Sequence, residues 1–177
     1  ITCMGENLLP DVLKKMVRLL ERLGLRCEFP ESQTCCGQPF FNSGFQAEGR
    51  EMALRWMNAF ADTEGYIVAP SGSCVEFVKH RYPKMFPEGS AEHEQAARIA
   101  ARVLEFSQFL VNILRVTDVG ATFPHRVTCH YPCHLTRGLG VRNEPLELLR
   151  AVRGLELIPL NEAEICCGFG GIFSVVY

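Results

Sequence analysis

Apolar side chains recur every three to four positions at Val12, Leu13, Met16, Val17, Leu20 and Leu23, behind Pro10 and ahead of Gly24. That spacing predicts an amphipathic helix that starts at the proline and stops at the glycine. Residues 25–29 then read as a short strand closed by Pro30, and residues 33–44 as a loop rich in turn residues. Met52, Trp56 and Phe60, flanked by Ala53, Met57 and Ala61, predict a second helix whose stripe belongs to the core. Residues 66–69 form an apolar run of strand length, ending at Pro70-Ser71-Gly72-Ser73-Cys74. Beyond a polar break at 82–91, helical spacing continues from about Glu92 to Leu114. Residues 126–129 and 155–160 read as strands on either side of a helix running from Pro145 to Val152 and ending at Gly154. Strands alternating with helices predict an α/β fold with a largely parallel sheet.

The order of elements repeats. Cys3 precedes a helix beginning at Pro10, Gly24 ends it, a strand reaches Pro30, and Cys35-Cys36-Gly37 follows. Cys133 precedes a helix beginning at Pro145, Gly154 ends it, a strand runs through Pro159, and Cys166-Cys167-Gly168 follows. Thirty-one residues lie between Cys3 and Cys35, and thirty-two between Cys133 and Cys166. Duplication accounts for the match: a first unit over 1–90, a helical connection over 91–124 and a second unit over 125–177. In α/β units the loops at the carboxyl ends of parallel strands gather on one sheet edge. Cys3, Cys35, Cys36 and Cys74 are therefore expected to share a crevice.

Composition narrows the chemistry. Eighteen Lys and Arg against twenty Asp and Glu give a net charge of −2, which offers no basic field for nucleic acid. No apolar run approaches the ~18 residues of a membrane span and no signal peptide opens the chain, so a cytoplasmic protein is expected. Nine cysteines in 177 residues, an odd number with two adjacent pairs, argue against a disulfide framework. In a reducing compartment the remaining uses are metal or cluster ligation, redox chemistry, or burial. Cys27, inside the apolar run at 25–29, is expected to be a core thiol. Soft ligands drawn from separate loops suit an iron–sulfur cluster. Zinc held by thiolates is the alternative, although paired C-x₂-C knuckles are missing; a metal-free thiol redox enzyme is a third. His130 and His134 flank Cys133, and Arg137 follows. His134 and Arg137 are the candidate catalytic residues, to bind a carboxylate or move a proton, with structural hydrogen bonding as the other use. His80 and His93 stand in charged surroundings and are expected at the surface. Gly168, Gly170 and Gly171 do not form the G-x-G-x-x-G of a dinucleotide loop.

Four stretches carry a family resemblance: Thr34-Cys35-Cys36-Gly37-Gln38-Pro39, Ala69-Pro70-Ser71-Gly72-Ser73-Cys74, His130-Tyr131-Pro132-Cys133-His134-Leu135-Thr136-Arg137, and Cys166-Cys167-Gly168-Phe169-Gly170-Gly171. They resemble the cysteine-rich CCG domain found in heterodisulfide reductases and in the glycolate oxidase iron–sulfur subunit. In wording they are most similar to the lactate-utilisation protein A group, the iron–sulfur subunits of L-lactate dehydrogenase complexes. The resemblance implies two pseudo-repeated Rossmann-like units with mostly parallel strands, flanking helices, and cysteine loops at strand carboxyl ends. It implies one cofactor site at Cys3, Cys35, Cys36 and Cys74 and a second beginning with Cys133, Cys166 and Cys167, each for an iron–sulfur cluster of the [4Fe-4S] type. It further implies electron transfer within a cytosolic complex that oxidises L-lactate to pyruvate, with a ferredoxin-type iron–sulfur protein among the partner subunits. In the heterodisulfide reductase relatives each motif ends in C-x-x-C and holds a noncubane cluster. Ser71 replaces the first of those cysteines here, so a four-thiolate site is expected. The second motif is expected to be completed by a cysteine beyond Tyr177, the chain being read as part of a longer one, with Cys129 as a substitute ligand. The competing expectations are a thiol- or heterodisulfide-reductase subunit and a zinc-stabilised structural subunit.

Overall fold

The structure, a computed structural model, describes residues 2–166; Ile1, residues 167–177 and the side chains of Cys3 and Met4 lie outside the described residues. Helix α1 (Cys3–Leu8) leads through Leu9 into α2 (Pro10–Arg22), which forms where the apolar stripe places it and buries Leu13 and Leu20. Gly24 ends the turn with φ of 85°, a conformation that favours glycine. The strand expected over 25–29 is absent. The segment is extended enough for Arg26 and Glu28 to pair on one side at 2.8 Å, but no described strand lies alongside to form a ladder. Leu25 and Cys27 pack instead against the cluster around Leu20.

Helices α3 (Gln38–Asn42) and α4 (Gln46–Ala59) follow, α4 burying Ala53, Trp56 and Met57 as its stripe predicts. Strand β1 (Ile67–Ala69) feeds α5 (Gly72–His80), and a 3₁₀ turn at Tyr82–Met85 leads to α6 (Ala91–Arg102). The continuous helix expected from Glu92 to Leu114 is broken. Val103–Glu105 leave it as β2, parallel to β1 in the register Ile67 to Val103. The reason is local and tertiary at once. All three residues of β2 are buried, where β1 satisfies their backbone. The Glu105 carboxylate then caps a new helical start, accepting from the amides of Ser107 at 2.8 Å and Gln108 at 3.2 Å. The chain continues as α7 (Phe106–Gln108) and a π turn at Phe109–Ile113.

In the second half, β3 (Arg126–Val127) and β4 (Glu156–Leu157) pair in parallel, with a π turn at His134–Gly138 and α8 (Glu144–Arg150) between them. All described ladders are parallel and alternate with helices, an α/β arrangement. They form two separate two-stranded pairs, and among the described residues neither widens into the multi-stranded sheet of a Rossmann-like unit. One core, built on Trp56, Met57, Phe77, Tyr82 and Val103, lies under α4, α5 and α6; a second gathers Leu20, Leu104, Phe109 and Leu110. Leu139 packs on the first core, and Val141 is wholly buried, so the second cysteine segment is rooted in the first half of the molecule.

Candidate metal centre

Two loops meet above the first core. The earlier one turns at Gly37, whose φ of 83° and close quarters both exclude a side chain: a Cβ there would stand 2.9 Å from the Gly49 carbonyl oxygen and from Met52 Cβ. The turn aims Cys36 inward, where it is 7% exposed, and leaves Cys35 half-buried beside it. The later loop follows β1. Ser71 caps α5, accepting from the Cys74 amide at 3.5 Å, and Cys74 falls in the first helical turn. A thiolate there lies at the positive end of the helix dipole.

Buried polar side chains brace this meeting. Tyr82, fully buried, donates from its hydroxyl to the Cys36 carbonyl at 2.7 Å. Its ring stands edge-on to Trp56 and Phe77, with centroids 5.8 and 5.7 Å away. Gln38, also buried, donates its side-chain amide to the Ser73 carbonyl at 3.3 Å and so ties one loop to the other. The Ser71 and Ser73 hydroxyls are 3.3 Å apart.

The thiols of Cys35, Cys36 and Cys74 interact directly. Cys36 hydrogen-bonds to both of the others, and these bonds, reinforced by burial, push its pKa well above the ordinary thiol value. Cys74 moves the other way. The hydrogen bond from Cys36 outweighs burial, the Ser71 and Ser73 hydroxyls add to it, and the thiol is lowered to about 7. Near neutral pH Cys74 therefore passes between thiol and thiolate beside Cys36, a thiol that keeps its proton.

The space they line is a cavity of about 30 Å³, walled also by Thr2, Trp56 and Val75. Thr2 directly precedes Cys3, so α1 begins at the rim of this cavity. In donor type the residues fit a soft metal or an iron–sulfur centre, for which thiolates from separate loops are the usual ligands. In room they fit an ion: the space is of the order of a water molecule or two. Among the described residues no three His, Cys, Asp or Glu side chains are arranged as a set that could hold a metal ion. The proton that Cys36 holds must leave for its sulfur to become a ligand.

The second group of candidates lies around the π turn. Cys133 is half-buried at its start, and Cys129, half-buried, directs its thiol to the His130 carbonyl at 3.6 Å. His130 Nε2 donates to the Ile165 carbonyl at 2.8 Å, the Tyr131 amide to Ala163 at 2.8 Å, and Arg137 to the Glu164 carbonyl at 3.1 Å. Arg142 pairs with the Glu164 carboxylate at 2.7 Å and, by that hydrogen bond, holds its pKa down. These bonds dock residues 163–166 on the segment 130–142 and carry the exposed Cys166 with them. His134 is engaged by Glu76, Nδ1 to Oε2 at 3.2 Å. Cys167 and the thiol of Cys3 lie outside the described residues. Cys27 sits apart, against the Leu20 cluster, where burial raises its pKa.

Sequence reasoning missed Tyr82, Gln38 and Glu76. Tyr82 opened a stretch read as a polar break, and no periodicity marks a tyrosine whose partner is 46 positions away. Ser71 did carry a legible signal: a serine three residues ahead of Cys74, where an N-cap belongs.

The family described as "Cysteine-rich domain" (CCG) matches residues 1–79 and 127–177. The chain is 51% identical over 175 residues to a protein named lactate utilization protein A from Geobacillus thermodenitrificans, covering 99% of this chain and 72% of that one. It is 52% identical over 178 residues to the protein of that name from Geobacillus kaustophilus, with 99% and 72% covered. The protein of that name from Bacillus licheniformis is 46% identical over 175 residues, with 99% and 73% covered. No solved structure matches the chain.

Proposed function

The chain belongs to the lactate utilization protein A family and carries its cysteine-rich domain; from that premise we propose that it is the iron–sulfur, electron-carrying subunit of a cytosolic complex oxidising L-lactate to pyruvate. The observation that carries this reading is the meeting of Cys35, Cys36 and Cys74 over one buried floor, with Cys74 lowered to about 7. Cys3 completes that set, and Cys133, Cys166 and Cys167 begin the second, with ferredoxin-type iron–sulfur subunits as partners. A cluster held by these thiolates supplies one-electron transfer. The protein's own residues do the rest. Cys74, lowered to about 7, offers a ligand that loses its proton far more readily than an ordinary thiol. The Ser71 and Ser73 hydroxyls hydrogen-bond its sulfur, which is how a protein tunes such a centre's potential. Trp56 and Tyr82 keep water from its underside. Among the described residues no helix is long and apolar enough to cross a membrane.

One observation favours a second reading: a cavity of about 30 Å³ suits a single zinc ion. Anaerobic purification separates the two. Iron and sulfide in the protein, with broad absorption near about 400 nm, support the cluster; a colourless protein with stoichiometric zinc overturns it. Deletion of the gene should then abolish growth on L-lactate as sole carbon source, and normal growth without a redundant route would count against the lactate assignment.

A further inference from the structure

Glu76 and His134 stand where the two cysteine segments touch. Glu76 comes two residues after Cys74 in α5, and His134 directly follows Cys133. The Glu76 side chain is 12% exposed, and its Oε2 lies 3.2 Å from His134 Nδ1. A carboxylate so withdrawn from water needs a donor, which makes this contact worth more than a surface pair.

The backbones beside it pack without room for further atoms. A Cβ on Gly72 would lie 3.0 Å from Leu135 Cβ, and one on Gly138 would lie 2.5 Å from Glu76 Cγ. The segment is anchored beyond the contact as well. Thr136 is buried and bonds back to the Pro132 carbonyl at 3.1 Å, while the amide of the wholly buried Val141 donates to Leu135 at 3.1 Å. The polypeptide leaving Cys133 is thus laid against the helix that carries Cys74, and neither can shift without disturbing the other.

We propose that the Glu76–His134 contact, with the glycine packing around it, couples the two cysteine segments: docking of the Cys133 segment holds Cys74 in place for metal, and metal at Cys35, Cys36 and Cys74 tightens that docking. The two effects are one coupling free energy and are equal in size. Both residues act as positioning residues, through the helix and the turn that bear the thiols. The proposal rests on the metal-binding reading above.

The test uses the full chain, reduced and metal-free under anaerobic conditions, titrated with cobalt(II) alone and followed by its thiolate charge-transfer band. His134→Ala and Glu76→Ala should each weaken cobalt binding about tenfold, the scale for removal of a group that orients a ligand. The double variant should lose no more than either single one, since both break the same contact. Glu76→Gln, which keeps an acceptor for Nδ1, should recover most of the loss. A measurement without substitution stands beside these: amide exchange over residues 134–139 should slow when cobalt binds. Unchanged exchange, equal affinities in all variants, or additive losses in the double variant would each overturn the coupling while the wild-type cobalt band stands. Absence of that band in the wild type overturns the metal reading and the coupling together.

Discussion

Replacing Tyr82 with phenylalanine removes a single oxygen from a fully buried side chain. That oxygen donates to the Cys36 carbonyl at 2.7 Å, and the ring that remains still faces Trp56 and Phe77 edge-on. The loss is therefore one buried neutral hydrogen bond, about 1 kcal/mol, and not the roughly 3–5 kcal/mol of removing a buried aromatic side chain. In a chain of this size about 1 kcal/mol lowers Tm by about 2–4 °C. Thermal unfolding of the reduced, metal-free Tyr82→Phe protein, followed by circular dichroism, should show that small drop, and Tyr82→Ala a much larger one. Metal affinity separates the hydroxyl's local role from its stability effect. With the Cys36 backbone no longer held, cobalt binding should weaken about tenfold in Tyr82→Phe, well beyond what a 1 kcal/mol loss of fold stability explains for a protein that remains folded. Wild-type affinity in Tyr82→Phe would refute the bracing role, and equal destabilisation by Phe and Ala would show the ring, not the bond, to be out of place.

Three further outcomes follow from the same geometry. Gly37→Ala adds about 1 kcal/mol of left-handed backbone strain to a Cβ 2.9 Å from Gly49 and Met52, so its urea midpoint should fall well below that of Gly44→Ala. The latter has φ of 88° but open space around it, and equal midpoints would refute the close approach. Cys27→Ser, in the other core cluster, should leave cobalt binding unchanged, whereas Cys36→Ser should abolish it; the reverse pattern would reassign the ligands. Arg137→Ala removes an exposed bond to Glu164, so stability should change by less than about 0.5 kcal/mol while amide exchange over 163–166 accelerates, and unaltered exchange would show that loop to be held by the bonds of Arg142, His130 and the Tyr131 amide without it.

What the sequence discloses here depends on how far apart the interacting residues lie. Helices α2 and α4 were legible because their stripes repeat within a few turns, and the positions of β1, β3 and β4 because short apolar runs end in turn residues. Residues 25–29 look like a strand by the same local rule, but a strand exists only where a neighbour supplies hydrogen bonds, and none of the described strands does. The opposite error occurred at 103–105. Helical spacing carries on through Val103, yet parallel pairing with β1 and the Glu105 cap make a strand and a fresh helical start the better use of those residues. At the site, the meeting of the Cys35–Cys36 loop with Cys74 could be anticipated from thiols placed in turns after apolar runs. The braces beneath could not. Tyr82 to Cys36, Gln38 to Ser73 and Glu76 to His134 join positions 46, 35 and 58 residues apart, and such pairings leave no period in the chain.

The proton inventory of the thiol trio gives a direct way to ask whether metal enters where these braces converge. A ligand must be deprotonated to bind, so each protonated sulfur that becomes a ligand releases a proton. Cys36, its pKa pushed well up by the bonds to Cys35 and Cys74, gives up a whole proton at any pH from 6 to 8. Cys74, lowered to about 7, is mostly protonated at pH 6 and mostly ionised at pH 8. Its contribution therefore falls by about 0.8 proton across that interval. Because the folded value lies below the ordinary thiol value of 9.0, ionised Cys74 stabilises the metal-free fold fully above pH 9, and that contribution fades as pH drops toward 7. Calorimetric cobalt titration in paired buffers of different ionisation enthalpy reads the released protons directly. The release at pH 6 should exceed that at pH 8, and removing the Ser71 and Ser73 hydroxyls together (Ser71→Ala with Ser73→Ala), which raises the Cys74 thiol while leaving all three sulfurs in place, should shrink that difference. An identical difference in that double variant would mean that the hydroxyls of Ser71 and Ser73 do not set the charge of Cys74.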